Sequence, residues 1–246
     1  MKIGIVQISP KRGDIEKNIA LHKEMIHLAK EKEVNAIFFS ELSITGYEPE
    51  LASVLKVHPS DKRFEIFQKI SNEEGITIGI GVPTESEEGA NISMLLFEPQ
   101  NSLQIYSKQI LHEDEKPYFK EGNAQVILNL KRYKIAPAIC YESLQMEHLE
   151  NAIHKGAEIY VASVAKSQKG IDKANDYFPK VAKEKSIPIL MANCVGFCDN
   201  FQSIGQSSIW NRQGILMEQL NESEEGILIY DTETETTLKI EKENSH

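Results

Sequence analysis

Residues 133–163 read YKIAPAICYESLQMEHLENAIHKGAEIYVAS. Tyr133–Ile139 is an apolar run of strand length that ends on Cys140. Apolar residues then recur at helical spacing over Met146–His154, and Gly156 stops the helix. Glu158–Ala162 is a second buried-type strand. A strand, a helix and a strand within one short stretch indicate an α/β architecture.

Upstream, Val126–Leu130 reads as a partner strand for Tyr133–Ile139. At the start of the chain Ile3–Ile8 is a short strand, and Asp14 opens a helix carrying Ile15, Ile19, Met25, Ile26 and Ala29. Ala36–Phe39 is a buried strand running into Ser40 and Glu41, and Phe64, Phe67 and Ile70 mark a helix ending before Gly75. Ile76–Val82 and Ile92–Phe97 follow as strands, and a turn at Pro99-Gln100-Asn101 leads back into Leu103–Tyr106. Downstream, Asp172 opens a helix reaching Lys185, and Ile187–Ala192 is another buried strand. Ser207–Trp210 with Gly214–Met217 forms a hairpin, and Ile227–Tyr230 a last strand. With no linker, repeat or low-complexity tract, residues 1–246 are expected to form one domain. From about residue 232 a Thr-Glu run predicts an acidic tail, or an arm lying on a partner subunit.

The balance of 27 basic against 37 acidic residues, net −10, argues against a nucleic-acid or anionic-membrane surface. A content of 41% hydrophobic and 26% charged residues excludes a disordered chain. The N-terminal apolar run is too short for a signal peptide, and no stretch approaches the length of a membrane span. Three cysteines, Cys140, Cys194 and Cys198, form no disulfide framework and point to a reducing, cytoplasmic setting.

Several familiar sites are absent: a phosphate-binding P-loop, a complete dinucleotide fingerprint, H-E-x-x-H and the G-x-S-x-G elbow. Cys194 and Cys198 are spaced C-x3-C, but no second pair completes a metal site. Neither a metal nor a cofactor is therefore expected. Three reactive side chains remain at or just beyond strand ends, where a sheet presents functional groups: Glu41, Lys108 and Cys140. Singly, each has a plain reading as a surface charge or an inert core thiol. Together they supply a mechanism. A carboxylate takes the thiol proton, sulfur attacks a carbonyl or nitrile carbon, and the ammonium stabilises the oxyanion. The same acid then protonates the departing amine and activates water. Lys108 is expected to lower the thiol pKa, with Glu41 opposing it.

The stretches around these residues resemble the carbon–nitrogen hydrolase (nitrilase/amidase) superfamily. Phe39-Ser40-Glu41-Leu42 with Thr45-Gly46-Tyr47 is similar to its first signature. Tyr106-Ser107-Lys108, followed by Asp114-Glu115, Tyr118-Phe119 and Gly122, is similar to its second, and Cys140-Tyr141-Glu142 to its third. The resemblance implies Glu41 as general base, Lys108 as catalytic lysine, Cys140 as nucleophile and Glu115 as a second, positioning glutamate. It also implies a four-layer α-β-β-α sandwich and a homodimer or larger homo-oligomer. Tyr141, Tyr47, Tyr118, Ser163 and Lys166 are candidates for oxyanion or substrate binding. The chain departs from the pattern at Leu144, where many members carry Arg, and at Met146, where many carry Pro. It also has Ser163-Val164 in place of an Asn-Trp pair. The missing Arg weakens the case for a substrate carboxylate held at that point. The expected activity is hydrolysis of a small linear amide through a cysteine acyl-enzyme. Acyl transfer from the same intermediate, or a non-catalytic binding or regulatory dimer, are the alternatives.

Overall fold

The computed structural model describes residues 1–242. Its first half contains β1 (Lys2–Gln7), α1 (Ile15–Lys30), β2 (Ala36–Phe38), α2 (Ala52–Leu55), α3 (Glu65–Glu74), β3 (Thr77–Ser86), β4 (Gly89–Phe97) and β5 (Gln104–Ser107). A short strand, β6 (Leu128–Leu130), precedes β7 (Tyr133–Ile139), α4 (Met146–His154), β8 (Ile159–Ser163), α5 (Gln168–Lys185) and β9 (Ile189–Ala192). The remainder is all β: β10 (Val195–Cys198), β11 (Phe201–Ile204), β12 (Ser208–Trp210), β13 (Leu216–Gln219), β14 (Gly226–Asp231) and β15 (Thr236–Glu241).

Two mixed sheets result. One is seven-stranded in the order β15-β14-β1-β2-β3-β4-β5, and the other six-stranded in the order β13-β12-β9-β8-β7-β6. Each has a parallel centre, β1-β2-β3 in the first and β7-β8-β9 in the second, flanked by antiparallel strands. Side chains alternate across a strand, so β1 sends Ile3 and Ile5 to one face and Val6 to the other. Ile5, Phe38 and Leu96 of the first sheet pack between the sheets with Ile135, Val161 and Leu190 of the second. On the outer face of the first sheet, Val6, Ile37 and Ile78 are covered by Ile19, Met25 and Phe67 of α1 and α3. Ala138, Tyr160 and Met191 of the second are covered by Leu149 of α4 and Phe178 of α5. This is the four-layer α-β-β-α sandwich.

Local chemistry explains most element ends. The Asp14 side chain accepts from Lys17 N at 3.1 Å and caps α1, and Gly75 ends α3 at φ +62°. Three segments differ from the sequence reading. Helix α5 begins at Gln168 after an N-cap Ser167, four residues before Asp172, because Gly170 in its first turn masks the helical pattern. The β10–β11 hairpin forms a separate two-stranded sheet of four-residue strands, too short and too interrupted by Gly196, Asp199 and Asn200 for periodicity to mark it. The acidic segment read as a tail contains β15, which pairs antiparallel with β14 from Thr236 opposite Asp231 to Glu241 opposite Gly226. Thr236, Thr237 and Ile240 are β-branched and suit an extended edge, which Lys239 and Glu241 keep charged. The last four residues of that acidic segment, 243–246, lie outside the described residues.

Candidate active site

Both β2 and β7 are central parallel strands, and the chain leaves their carboxyl ends toward a common place. After β2 the segment folds back tightly over β3. A Cβ at Gly81 would stand 2.5 Å from Ser40 O and from Leu42 N, so only glycine allows this approach. Gly81 N donates to Ser43 Oγ at 3.2 Å, and Phe39 N to Gly79 O at 3.0 Å, which fixes Glu41 between them.

Lys108 follows β5 and is fully buried. Its backbone N donates to Ile92 O at 2.8 Å, and its carbonyl accepts from Gly122 N at 2.7 Å. Its Nζ donates to Glu41 Oε1 at 2.8 Å and to Glu115 Oε1 at 2.6 Å. Glu115 Oε1 also accepts from the Tyr47 hydroxyl at 3.0 Å, and its Oε2 from His112 N at 2.8 Å. Glu41 Oε2 is buried and has no hydrogen-bond partner among the described residues. Burial alone would discharge Lys108, but the Glu41 and Glu115 carboxylates outweigh it and hold the ammonium charged well above its ordinary range. Burial raises the Glu41 carboxyl, and the Lys108 charge pulls against it.

Cys140 is the hinge between β7 and a 3₁₀ turn over Cys140–Leu144, at φ +47°. A non-glycine residue rarely adopts this conformation, and the surroundings must hold it there. Ser143 Oγ donates to Cys140 O at 2.6 Å, and Cys140 Sγ lies 3.7 Å from Ala165 O. Burial and then the Glu41 charge push the thiol up to about 11, while Lys166 and Lys108 act in the opposite sense. The expected lowering by Lys108 exists but is outweighed.

Beneath these groups lies a network that the sequence reading passed over. Glu142 is fully buried; its Oε1 accepts from Ile139 N at 2.7 Å and Tyr106 Oη at 2.5 Å. Its Oε2 accepts from Gln109 N at 2.6 Å and Ile110 N at 3.2 Å. One carboxylate thus ties the residue before the nucleophile to the two residues after Lys108. His148 bonds Tyr106 Oη and Tyr160 Oη, both at 2.7 Å, and burial lowers it to about 4, so it stays neutral.

A cavity of about 530 Å³ opens over Cys140. Of the candidates from sequence, Tyr47, Glu115, Cys140, Tyr141 and Lys166 line it, and Glu41 and Lys108 sit behind this wall. Two candidates lie elsewhere. Ser163 is buried and donates to Phe39 O at 2.5 Å, bridging the two sheets, and Tyr118 is 40% exposed outside the lining. Unanticipated lining residues are His112, Gln145, Lys169, Lys173, Tyr177 and Phe201. The i, i+4 spacing of Lys169 and Lys173 on α5, with Lys166 just before its N-cap, was the available signal. Cys194 and Cys198 lie apart from the nucleophile with their sulfurs 3.6 Å from each other. Among the described residues no group of three or more His, Cys, Asp or Glu side chains is arranged to hold a metal, and no helix is long and apolar enough to cross a membrane.

Known proteins are similar to this chain. A probable nitrilase of Schizosaccharomyces pombe is 25% identical over 98% of this chain and 91% of its own length. A glutamine-dependent NAD(+) synthetase of Thermotoga maritima is 22% identical over 98% of this chain, which spans 43% of the synthetase. Among solved structures, a variant of the amidase from Nesterenkonia sp. AN1 in complex with butyramide superposes with a TM-score of 0.86 at 21% identity, covering 96% of this chain and 92% of that one. Residues 2–240 match the family described as carbon-nitrogen hydrolase, and the chain belongs to that family.

Proposed function

We propose that this protein hydrolyses the C–N bond of a small linear amide through an acyl-enzyme on Cys140. The observation that carries the reading is the single buried ammonium of Lys108 shared by two carboxylates, one of which, Glu41, keeps an unpartnered oxygen. Glu41 Oε2 takes the thiol proton as sulfur adds to the amide carbon, and Lys108 faces the oxyanion that forms. Collapse breaks the C–N bond, with Glu41 returning the proton to nitrogen, so ammonia or an amine leaves. Water then gives a proton to Glu41 and hydroxide to the thioester, releasing the acid and the thiol. Glu115 and Tyr47 hold Lys108 on its far side. A resting thiol near 11 suits this sequence, because a neutral nucleophile needs the adjacent base. The butyramide bound by the Nesterenkonia amidase variant is the kind of ligand this site would take. No metal or cofactor takes part in the proposed steps.

The same reading has residues 1–246 as one domain, acting in the cytoplasm as a homodimer or larger assembly. The family membership and the exposed apolar side chains Phe197, Ile215 and Leu216 support the assembly. Light scattering at micromolar concentration tests it, and a monomer mass would overturn it. For the activity, a panel of small amides is incubated with the protein while ammonia release and the mass of the Cys140 peptide are followed. Ammonia together with a trapped acyl adduct on Cys140 is expected. Release that persists undiminished in Cys140→Ala would end the proposal.

A further inference from the structure

Lys166 is 94% buried by residue area, being 6% exposed, yet its Nζ has no hydrogen-bond or ion-pair partner among the described residues. Its main chain is firmly held. Lys166 N donates to Asn193 Oδ1 at 2.9 Å, and Lys166 O accepts from Asn193 Nδ2 at 3.2 Å and Ser203 Oγ at 3.1 Å. The aliphatic stem lies on Gly170, where an added Cβ would stand 3.1 Å from Lys166 Cβ and 3.2 Å from Cγ. The ammonium is therefore delivered into the cavity that holds Cys140.

The stem is buried but the ammonium opens on the cavity, and with no carboxylate of the chain paired to it its charge is left for an anion bound there. Two further features of the same wall agree. Ser167, Lys169 and Gly170 place the N-terminus of α5 on the cavity, and the first-turn N–H groups of a helix lack intrahelical acceptors. Lys169 and Lys173 stand on the same wall, and neither pairs with a carboxylate among the described residues. The carboxylates that face the cavity are already engaged. Asp114 Oδ1 lies 2.6 Å from His112 Nδ1, and Glu115 is taken by Lys108, Tyr47 and His112 N.

Resting on the amidase reading above, we infer that the amide substrate carries a carboxylate, which Lys166 and the N-terminus of α5 hold while Cys140 attacks its amide end. The monoamides of short dicarboxylic acids fit this description. The anchor thus comes from the wall of Lys166, opposite in chemistry to the apolar Leu144 that occupies the expected Arg position.

Each monoamide is compared with the amide that has a methyl in place of the carboxylate: succinamate with butyramide, and glutaramate with pentanamide. For at least one pair, kcat/KM should favour the anion by about tenfold or more, as expected when a buried polar group loses its partner. Lys166→Met should bring that ratio near one, whatever it does to the absolute rates. Lys166→Arg should retain part of it. Gly170→Ala, which improves helix propensity and keeps the charge, should also lower the ratio by displacing the lysine stem. A second arm uses calorimetry on Cys140→Ala protein, where succinamate or glutaramate should bind at least tenfold more tightly than its neutral partner and lose this on adding Lys166→Met. Ammonia release with no preference for the anion, or a preference unmoved by Lys166→Met, overturns the subsite and leaves the amidase reading standing. Charge-selective binding that depends on Lys166, with no turnover of any amide, supports the subsite and removes the amidase reading.

Discussion

Lys108 Nζ stands 2.8 Å from Glu41 Oε1 in a place where neither side chain has any exposure to solvent. The second carboxylate, Glu115, shares that nitrogen at 2.6 Å. Removing the lysine would leave two carboxylates buried side by side, and such unpairing typically costs about 3–5 kcal/mol.

Lys108→Met should therefore lower both stability and turnover. Thermal unfolding is expected to shift down, and kcat to fall by ~10³ or more, as for loss of an oxyanion partner. Cys140→Ala and Glu41→Gln should lower kcat as far while leaving thermal unfolding closer to the parent. The double variants should be strongly non-additive, since the three groups serve one step. Near-parental kcat in Glu41→Gln would remove the base from the scheme.

The reactivity of Cys140 should follow its raised pKa. With a value of about 11, the thiolate at pH 7 is about one part in ten thousand. Iodoacetamide labelling of the Cys140 peptide should then rise about tenfold per pH unit between pH 7 and 10. Because the Glu41 charge raises the thiol and Lys108 lowers it, Glu41→Gln should speed labelling and Lys108→Met slow it. A plateau near pH 8 would show that the thiol is not held in its neutral form.

Glu142 should prove a structural coupling rather than a proton carrier. Both oxygens accept two hydrogen bonds each. In Glu142→Gln one end of the amide must point N–H groups at donors, and each buried unsatisfied group costs roughly 1–3 kcal/mol. A lowered unfolding temperature, together with a kcat loss larger than any KM change, is expected, because Ile139 and Gln109 adjoin Cys140 and Lys108. Unchanged stability would show that these bonds are not maintained.

Extensive dialysis against a chelator should leave turnover intact, since every proposed proton and electron-pair transfer is assigned to side chains and water. Loss of activity with EDTA, restored by one divalent metal, would contradict that assignment.

Local signals in the chain were enough for the elements that organise the sandwich. The apolar runs Tyr133–Ile139 and Ile187–Ala192 could be read as buried strands, the second observed from Ile189, and Asp14, Gly75 and Gly156 as helix ends, because these depend on side chains a few residues apart. The order of three short motifs around Glu41, Lys108 and Cys140 was also present in the sequence, and with it the family. Other features are made only by folding. Strands β1, β2 and β3 are separated by long stretches of chain, so their parallel register has no local signature. The sharing of Lys108 between Glu41 and Glu115 joins residues 67 and 7 positions away, and its low-dielectric setting is supplied by both sheets. β15 has a polar sequence and owes its strand to the edge that β14 offers, and β10 and β11 are strands because they pair with each other in a separate two-stranded sheet. Lys166 gave the plainest contrast. In sequence it is a substrate-binding candidate with no sign of its surroundings; in the fold Asn193 and Ser203 hold its main chain, its stem lies on Gly170, and it lines the nucleophile's cavity. Burial of a charge depends on what surrounds it, and that is set by tertiary packing alone.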